Sequence, residues 1–358
     1  MKKAVAALIS VIIIISAAVC AQANGGDIPE WAINSTADYL LQNAAEPKVG
    51  SIGGEWTVIG LARSGISVPN GYFDRYYAEA KRYVTECGGV LSTRKYTEYS
   101  RMILALTAIG RNPENVGGYN LVAPLADYSK TVMQGINGAI WALIALDSAG
   151  YNIPPLPDDA AKSGATQATR QMYLDKILGS QNDDGGWSMS GGISDPDITA
   201  MALQALSKYM SDASVADAVQ SGIACMSEMQ TESGGFSSWG TENSESCAQA
   251  IVALCELKIP LDNERFVKGG RTLADNLMSY FVTGGGFMHS KEVNSANLMA
   301  SEQCFYAIVA AKRSAEKKTS LYDMSDVTDS TAKVKFPLMQ YTFFPLKKYT
   351  AVHGGVVN

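Results

Sequence analysis

From about residue 28 the chain alternates two kinds of helical stretch. One kind is short, apolar and rich in small residues: the stretch around Trp56 to Leu61, then 97–106, 137–146, 197–206, 245–254 and 302–311. The other is amphipathic and more charged, over 36–45, 74–86, 121–133, 166–178, 215–229 and 264–281. In the second of these, Tyr76, Tyr77, Ala80 and Tyr83 fall at helical spacing, so one face is apolar and the other solvated. Gly65, Gly110 and Gly150 follow the first three apolar stretches, where glycine closes a helix in the left-handed conformation. Strand patterning is scarce. The pattern predicts an all-α protein of six helix pairs.

The second half carries a repeat. Gln181-Asn182-Asp183-Asp184-Gly185-Gly186-Trp187 precedes the stretch 197–206, Gln230-Thr231-Glu232-Ser233-Gly234-Gly235-Phe236 precedes 245–254, and Gly285-Gly286-Phe287 precedes 302–311. The aromatic recurs at 187, 236 and 287, which are 49 and 51 residues apart. Repeats of this length are supersecondary units that bury their apolar faces only against neighbours. Consecutive glycines allow the chain to reverse with φ > 0, the ring can fill the gap between helix ends, and the glutamine can cap backbone groups. Six alternating pairs can form an open solenoid or a closed ring. The regular count of six favours closure as an (α/α)6 toroid, with the alanine-rich series inside.

The ends modify this picture. Lys2 and Lys3, the apolar run from Ala4 to Val19, and Ala21-Gln22-Ala23 form a signal peptide pattern, with cleavage expected before Asn24 and a secreted or cell-surface product. The expected organisation is a signal over 1–23, a toroid over 24–313, and a linker and tail over 314–358. The tail is rich in aromatics, Pro and Lys, and is expected to wrap the toroid or meet a partner chain that covers the lumen mouth. Losing Lys2 and Lys3 takes the net charge from −6 to −8, which argues against nucleic acid. No second apolar run is long enough to span a membrane. Without Cys20, five cysteines remain without tight spacing, which is no disulfide framework and suits buried thiols.

The Gln181-x-x-x-Gly185-x-Trp187 and Gln230-x-x-x-Gly234-x-Phe236 motifs resemble the repeats of squalene and hopene cyclases and of protein prenyltransferase β subunits. The resemblance spans about residues 28–313, with crisp motifs only over 181–311. It implies an α/α toroid, a ring shared with the cobalamin carriers, and says little about activity, because one fold hosts many. Asp195-Pro196-Asp197-Ile198-Thr199-Ala200 resembles the acid motif of hopene-type cyclases, with Asp197 at the proton donor and Ile198 in place of a further Asp. Asp195 and Pro196 also suit a helix N-cap and first position. Glu245-Ser246-Cys247 and Glu302-Gln303-Cys304 resemble the zinc ligands of prenyltransferases. Residues two apart do not share a helix face, and neither His289 nor His353 aligns with that family's ligand, so no metal and no cofactor are expected.

Asp197, Glu245 and Glu302, with Asn137 before them, occupy equivalent places in the apolar stretches. One turn further come Trp141, Met201, Gln249 and Tyr306. This mixed face is expected to line the lumen, giving it an acidic mouth and an aromatic wall. A concave site with a few polar groups is the default binding site. The leading expectation is therefore a non-catalytic carrier of a bulky, partly apolar terpenoid- or corrinoid-like ligand. The alternatives are a cyclase-like enzyme using Asp197 and a surface interaction module. A glycosidase drawing two carboxylates from Asp195, Asp197 and Glu245 is also compatible with such a ring.

Overall fold

The computed structural model describes residues 28–162 and 164–328. The signal peptide pattern and the tail beyond 328 lie outside the described residues. Thirteen α-helices are present among them. In chain order these are α1 (Glu30–Asn43), α2 (Trp56–Ser64), α3 (Tyr72–Glu86), α4 (Thr97–Ala108), α5 (Tyr128–Thr131), α6 (Ile136–Ser148), α7 (Asp158–Lys162), α8 (Arg170–Leu178), α9 (Pro196–Leu206), α10 (Ala213–Met229), α11 (Ser244–Glu256), α12 (Leu273–Met278) and α13 (Leu298–Ala315). The only described sheet is a hairpin, β1 (Ser237–Ser238) against β2 (Thr241–Glu242).

The predicted inner series is α2, α4, α6, α9, α11 and α13. Each packs on the next, and α13 returns to α2, so the ring is closed. These helices are nearly all buried. In α11 every residue from Ser244 to Glu256 is, which explains the alanines: six helices around one axis leave little room. The outer series is less regular than the pattern predicted. The stretch 121–133 breaks into a 3-10 turn at Ala123–Ala126, α5 and a second 3-10 turn, because Pro124 cannot donate into a helix ladder. The stretch 264–281 splits around Gly269 and Gly270, both at positive φ, into a 3-10 turn at Glu264–Phe266 and the short α12.

The Gly-Gly-aromatic turns are joints between repeats. Gln181 Nε2 donates to the Gly185 carbonyl at 2.7 Å and to the Ala218 carbonyl of α10 at 2.8 Å. Gln230 repeats this on Gly234 and Phe266. Trp187, Phe236 and Phe287 are fully buried, and the Trp187 indole donates to Ile177 O at 2.8 Å. Each motif's first glycine has positive φ and lies against the following outer element: Gly185 on Ser221, Gly234 on Arg271 and Thr272. The third, Gly285, lies on Ser35 and Tyr39 of α1. The last repeat therefore docks onto the first helix, which is ring closure seen at one residue.

The chain also seals one end. Beyond α13, residues 319–327 cross beneath the C-terminal ends of the inner helices. Arg63 of α2 and Arg313 of α13 both donate to Asp326 at 2.6 Å, and Arg63 also donates to Leu321 O and Thr319 Oγ1. The Glu256 carboxylate accepts from Ser320 Oγ and Tyr322 N, and Met324 N donates to Ser148 O. Tyr322 is buried with its ring edge-on to Trp141 at 6.0 Å. No described helix is long and apolar enough to cross a membrane.

Candidate active site

With the floor sealed, the accessible end of the ring is where the inner helices begin. Three of those helices start alike. Asp195, Asn243 and Asn297 are N-caps whose side chains accept from backbone N–H groups of α9, α11 and α13. Each cap's own N–H donates to the carbonyl of the motif aromatic, Trp187, Phe236 or Phe287. The repeat thus fixes the height at which each inner helix enters the ring.

Asp197 sits two residues past its cap. It is half-buried, with its Oδ1 enclosed beside the Ser246 hydroxyl. Burial, and then the neighbouring Asp195 and Glu245 carboxylates, push its pKa up to about 6, against a lowering influence from Ser246. Asp195 is committed: Oδ1 accepts from Asp197 N and Ile198 N, and Oδ2 accepts from Ser238 Oγ of β1 at 2.7 Å. Glu245 is buried in the first turn of α11. His289 Nδ1 lies 2.9 Å from both its oxygens, and Ser244 Oγ donates to it. A carboxylate on Nδ1 favours the tautomer with the proton there, and Nε2 is unengaged among the described residues. His289 is 48% exposed, so this nitrogen is reachable from the mouth.

Deeper in, Trp56, Trp141 and Tyr306 form a ring cluster with centroids 5.0 and 5.7 Å apart. Gln249 Nε2 donates to Tyr306 Oη at 2.6 Å, and Gln204 Nε2 donates to Gln249 Oε1. Met201 and Gln303 are half-buried beside them. Tyr306 is 1% exposed, whereas Trp56, Met201 and Gln303 keep part of their surface free.

The remaining sequence candidates occupy different surroundings. Asn137 is half-buried, with Oδ1 enclosed and unpartnered. Glu302 is fully buried and accepts from Gly53 N at 2.9 Å and Thr57 Oγ1 at 2.7 Å, tying α13 to the loop before α2. Burial pushes its pKa up to about 7. Cys247 Sγ and Cys304 Sγ lie against the backbone carbonyls of Leu273 and Ser244, and burial pushes both thiols up. Sequence reasoning missed three groups. His289 follows the third motif aromatic by two residues, a position with no histidine in the other repeats. Glu55 and Arg101 pair at 2.9 Å under Gly50 N, and the degenerate first repeats gave no register from which to find them.

No family model matches the chain, and no curated protein matches its sequence. Solved structures do match in shape. The unsaturated glucuronyl hydrolase from Bacillus sp. GL1, responsible for the degradation of glycosaminoglycan, aligns with a TM-score of 0.50. Identity is 11%, over 81% of this chain and 97% of that one. A second, a UGL variant with dGlcA-Glc-Rha-Glc, aligns at a TM-score of 0.47 and 10% identity, over 82% of this chain and 97% of its own. The fold is an α/α toroid.

That finding corrects the functional expectation. The carrier of a terpenoid- or corrinoid-like ligand is overturned: the toroid the chain matches is that of a hydrolase, and the axis meant for a bulky apolar guest holds Trp56, Trp141, Gln249 and Tyr306. The lean towards a non-catalytic protein, including a bare interaction module, falls with it. So does the cyclase alternative, since the solved toroid that matches is a hydrolase.

Proposed function

We propose that the protein is an exported hydrolase that cleaves a glycosidic bond at the mouth of the toroid. One observation carries the reading: a buried Asp197 carboxyl, its pKa raised to about 6, stands beside the Glu245–His289 pair at the start of the inner helices. An acid must be protonated near its working pH, and a base must be free to accept; environments that separate two such groups mark their roles. Asp197 donates its proton to the glycosidic oxygen as the bond to the anomeric carbon breaks. His289 Nε2, oriented by Glu245, takes a proton from the water whose oxygen forms the new bond. The products are a hemiacetal and an alcohol, and both groups recover their starting states by proton exchange with solvent. The hydrolytic activity named for the matching toroid agrees with this reading. Export rests on the basic and apolar pattern of the first 23 residues.

The test separates acid catalysis from a structural role. Asp197→Asn should lower kcat by about 10²-fold or more on unactivated glycosides. On dinitrophenyl glycosides, whose leaving group needs no proton, the loss should be under tenfold. Equal losses on both substrates would refute the role of Asp197.

A further inference from the structure

The hairpin beside Asp195 holds a residue that folding does not explain. Ser238 pairs with Thr241, so Trp239 and Gly240 form a two-residue loop, and both have positive φ, 53° and 83°. That turn favours Asn-Gly or Gly-Gly, because a Cβ is disfavoured in the left-handed region. A tryptophan there is strained, and a buried tryptophan could offset the strain by packing. Trp239 does not pack: it is 98% exposed. A strained residue with no contacts in its own fold points to a ligand.

The support under it is rigid. Ser238 Oγ donates to Asp195 Oδ2 at 2.7 Å, which fastens β1 to the cap of the helix that carries Asp197. Glu242 of β2 accepts from Ser233 Oγ at 2.5 Å, from Asn276 Nδ2 at 3.1 Å and from Thr231 Oγ1 at 3.3 Å. On the adjoining loop, Ile193 is 90% exposed. The backbone that carries the indole is thus fastened at the rim of the site.

We propose that Trp239 is a saccharide-binding platform that stacks on a sugar ring one or more units away from the bond cleaved, and that the glycan it takes is uncharged or basic. This rests on the glycosidase reading above. An indole face matches the C–H face of a pyranose, because the ring's negative face attracts polarised C–H groups and both surfaces are apolar. The charge of the glycan follows from the rim. Asp195, Asp197 and Glu245 cluster on this side of the mouth, with His289 paired to Glu245, while the cations Lys291 and Arg271 lie by Glu242 of the hairpin. A polyuronate would meet repulsion there, whereas a neutral or amino sugar would not.

Binding by the full chain to three probes tests this by calorimetry and tryptophan fluorescence: an N-acetylglucosamine tetramer, its deacetylated tetramer, and a uronate tetramer. The expected result is binding of at least one of the first two, no binding of the uronate, and at least a tenfold rise in Kd for Trp239→Ala. Trp239→Phe should recover part of the loss. The chemistry is tested separately by the kcat of Asp197→Asn, so failure of the acid role leaves these Kd values to be judged alone. Binding unchanged in Trp239→Ala, uronate binding tighter than the neutral probe, or binding of none of the three would overturn the platform. Far-UV circular dichroism of Trp239→Ala should match the parent, since the side chain makes no packing contact.

Discussion

Ring closure at Gly285 can be isolated by a pair of neighbouring substitutions. Gly284 and Gly285 have nearly the same backbone, φ 98° and 96°. Alanine at either incurs the same left-handed penalty, about 1–2 kcal/mol. At Gly284 an added Cβ meets nothing within 4 Å. At Gly285 it collides with the Ser35 carbonyl and comes within 2.9 Å of Tyr39 Cβ, both on α1. Because backbone cannot swing aside, overpacking adds roughly 1–3 kcal/mol. Gly284→Ala should therefore cost about 1–2 kcal/mol, and Gly285→Ala about 2–5 kcal/mol. Urea titration followed by circular dichroism reads the difference, with the slope m showing whether the ring opens before it melts. Equal destabilisation by the two variants would refute closure through this contact.

Other consequences follow from buried charge. Glu302 has a folded pKa of about 7 against 4.5 in the unfolded chain, so its ionisation opposes folding as pH rises between those values. The sign is that of a raised acid: its contribution is intact below pH 4.5 and is lost by pH 7, a loss of about 3 kcal/mol. Urea midpoints measured from pH 4.5 to 8 should fall less in Glu302→Gln than in the parent; parallel curves would count against it. At the floor, Arg63→Ala strips Asp326 and three backbone carbonyls of a buried donor and should cost about 3 kcal/mol. Limited proteolysis should then cut within 316–328 at low protease, and resistance equal to the parent would contradict the clasp.

The toroid was legible because its signals are local and repeated. Gly185, Gly234 and Gly285 announce φ > 0, and the alanine-rich stretches announce a crowded axis. The broken outer helices were less so, since Pro124 and the pair Gly269-Gly270 sit inside stretches whose apolar spacing still reads as helical. The site was half legible. Asp197 and Glu245 followed from repeat register, but register cannot show what a side chain meets from another segment. His289 reaches Glu245 across 44 positions, and Tyr322 enters the axis from a stretch read as linker. The packing along the axis was illegible for the same reason: only the contacts show that Trp56 meets Trp141 and Tyr306.

The pH dependence of kcat/KM on an N-acetylglucosamine oligomer tests most directly whether Asp197 is the acid of a glycosidic hydrolysis. Activity should fall as pH rises through about 6, where Asp197 loses its proton, and that limb should vanish in Asp197→Asn along with most of the rate. Hydrolysis that persists undiminished to pH 8, or an unchanged profile in Asp197→Asn, would contradict the acid role.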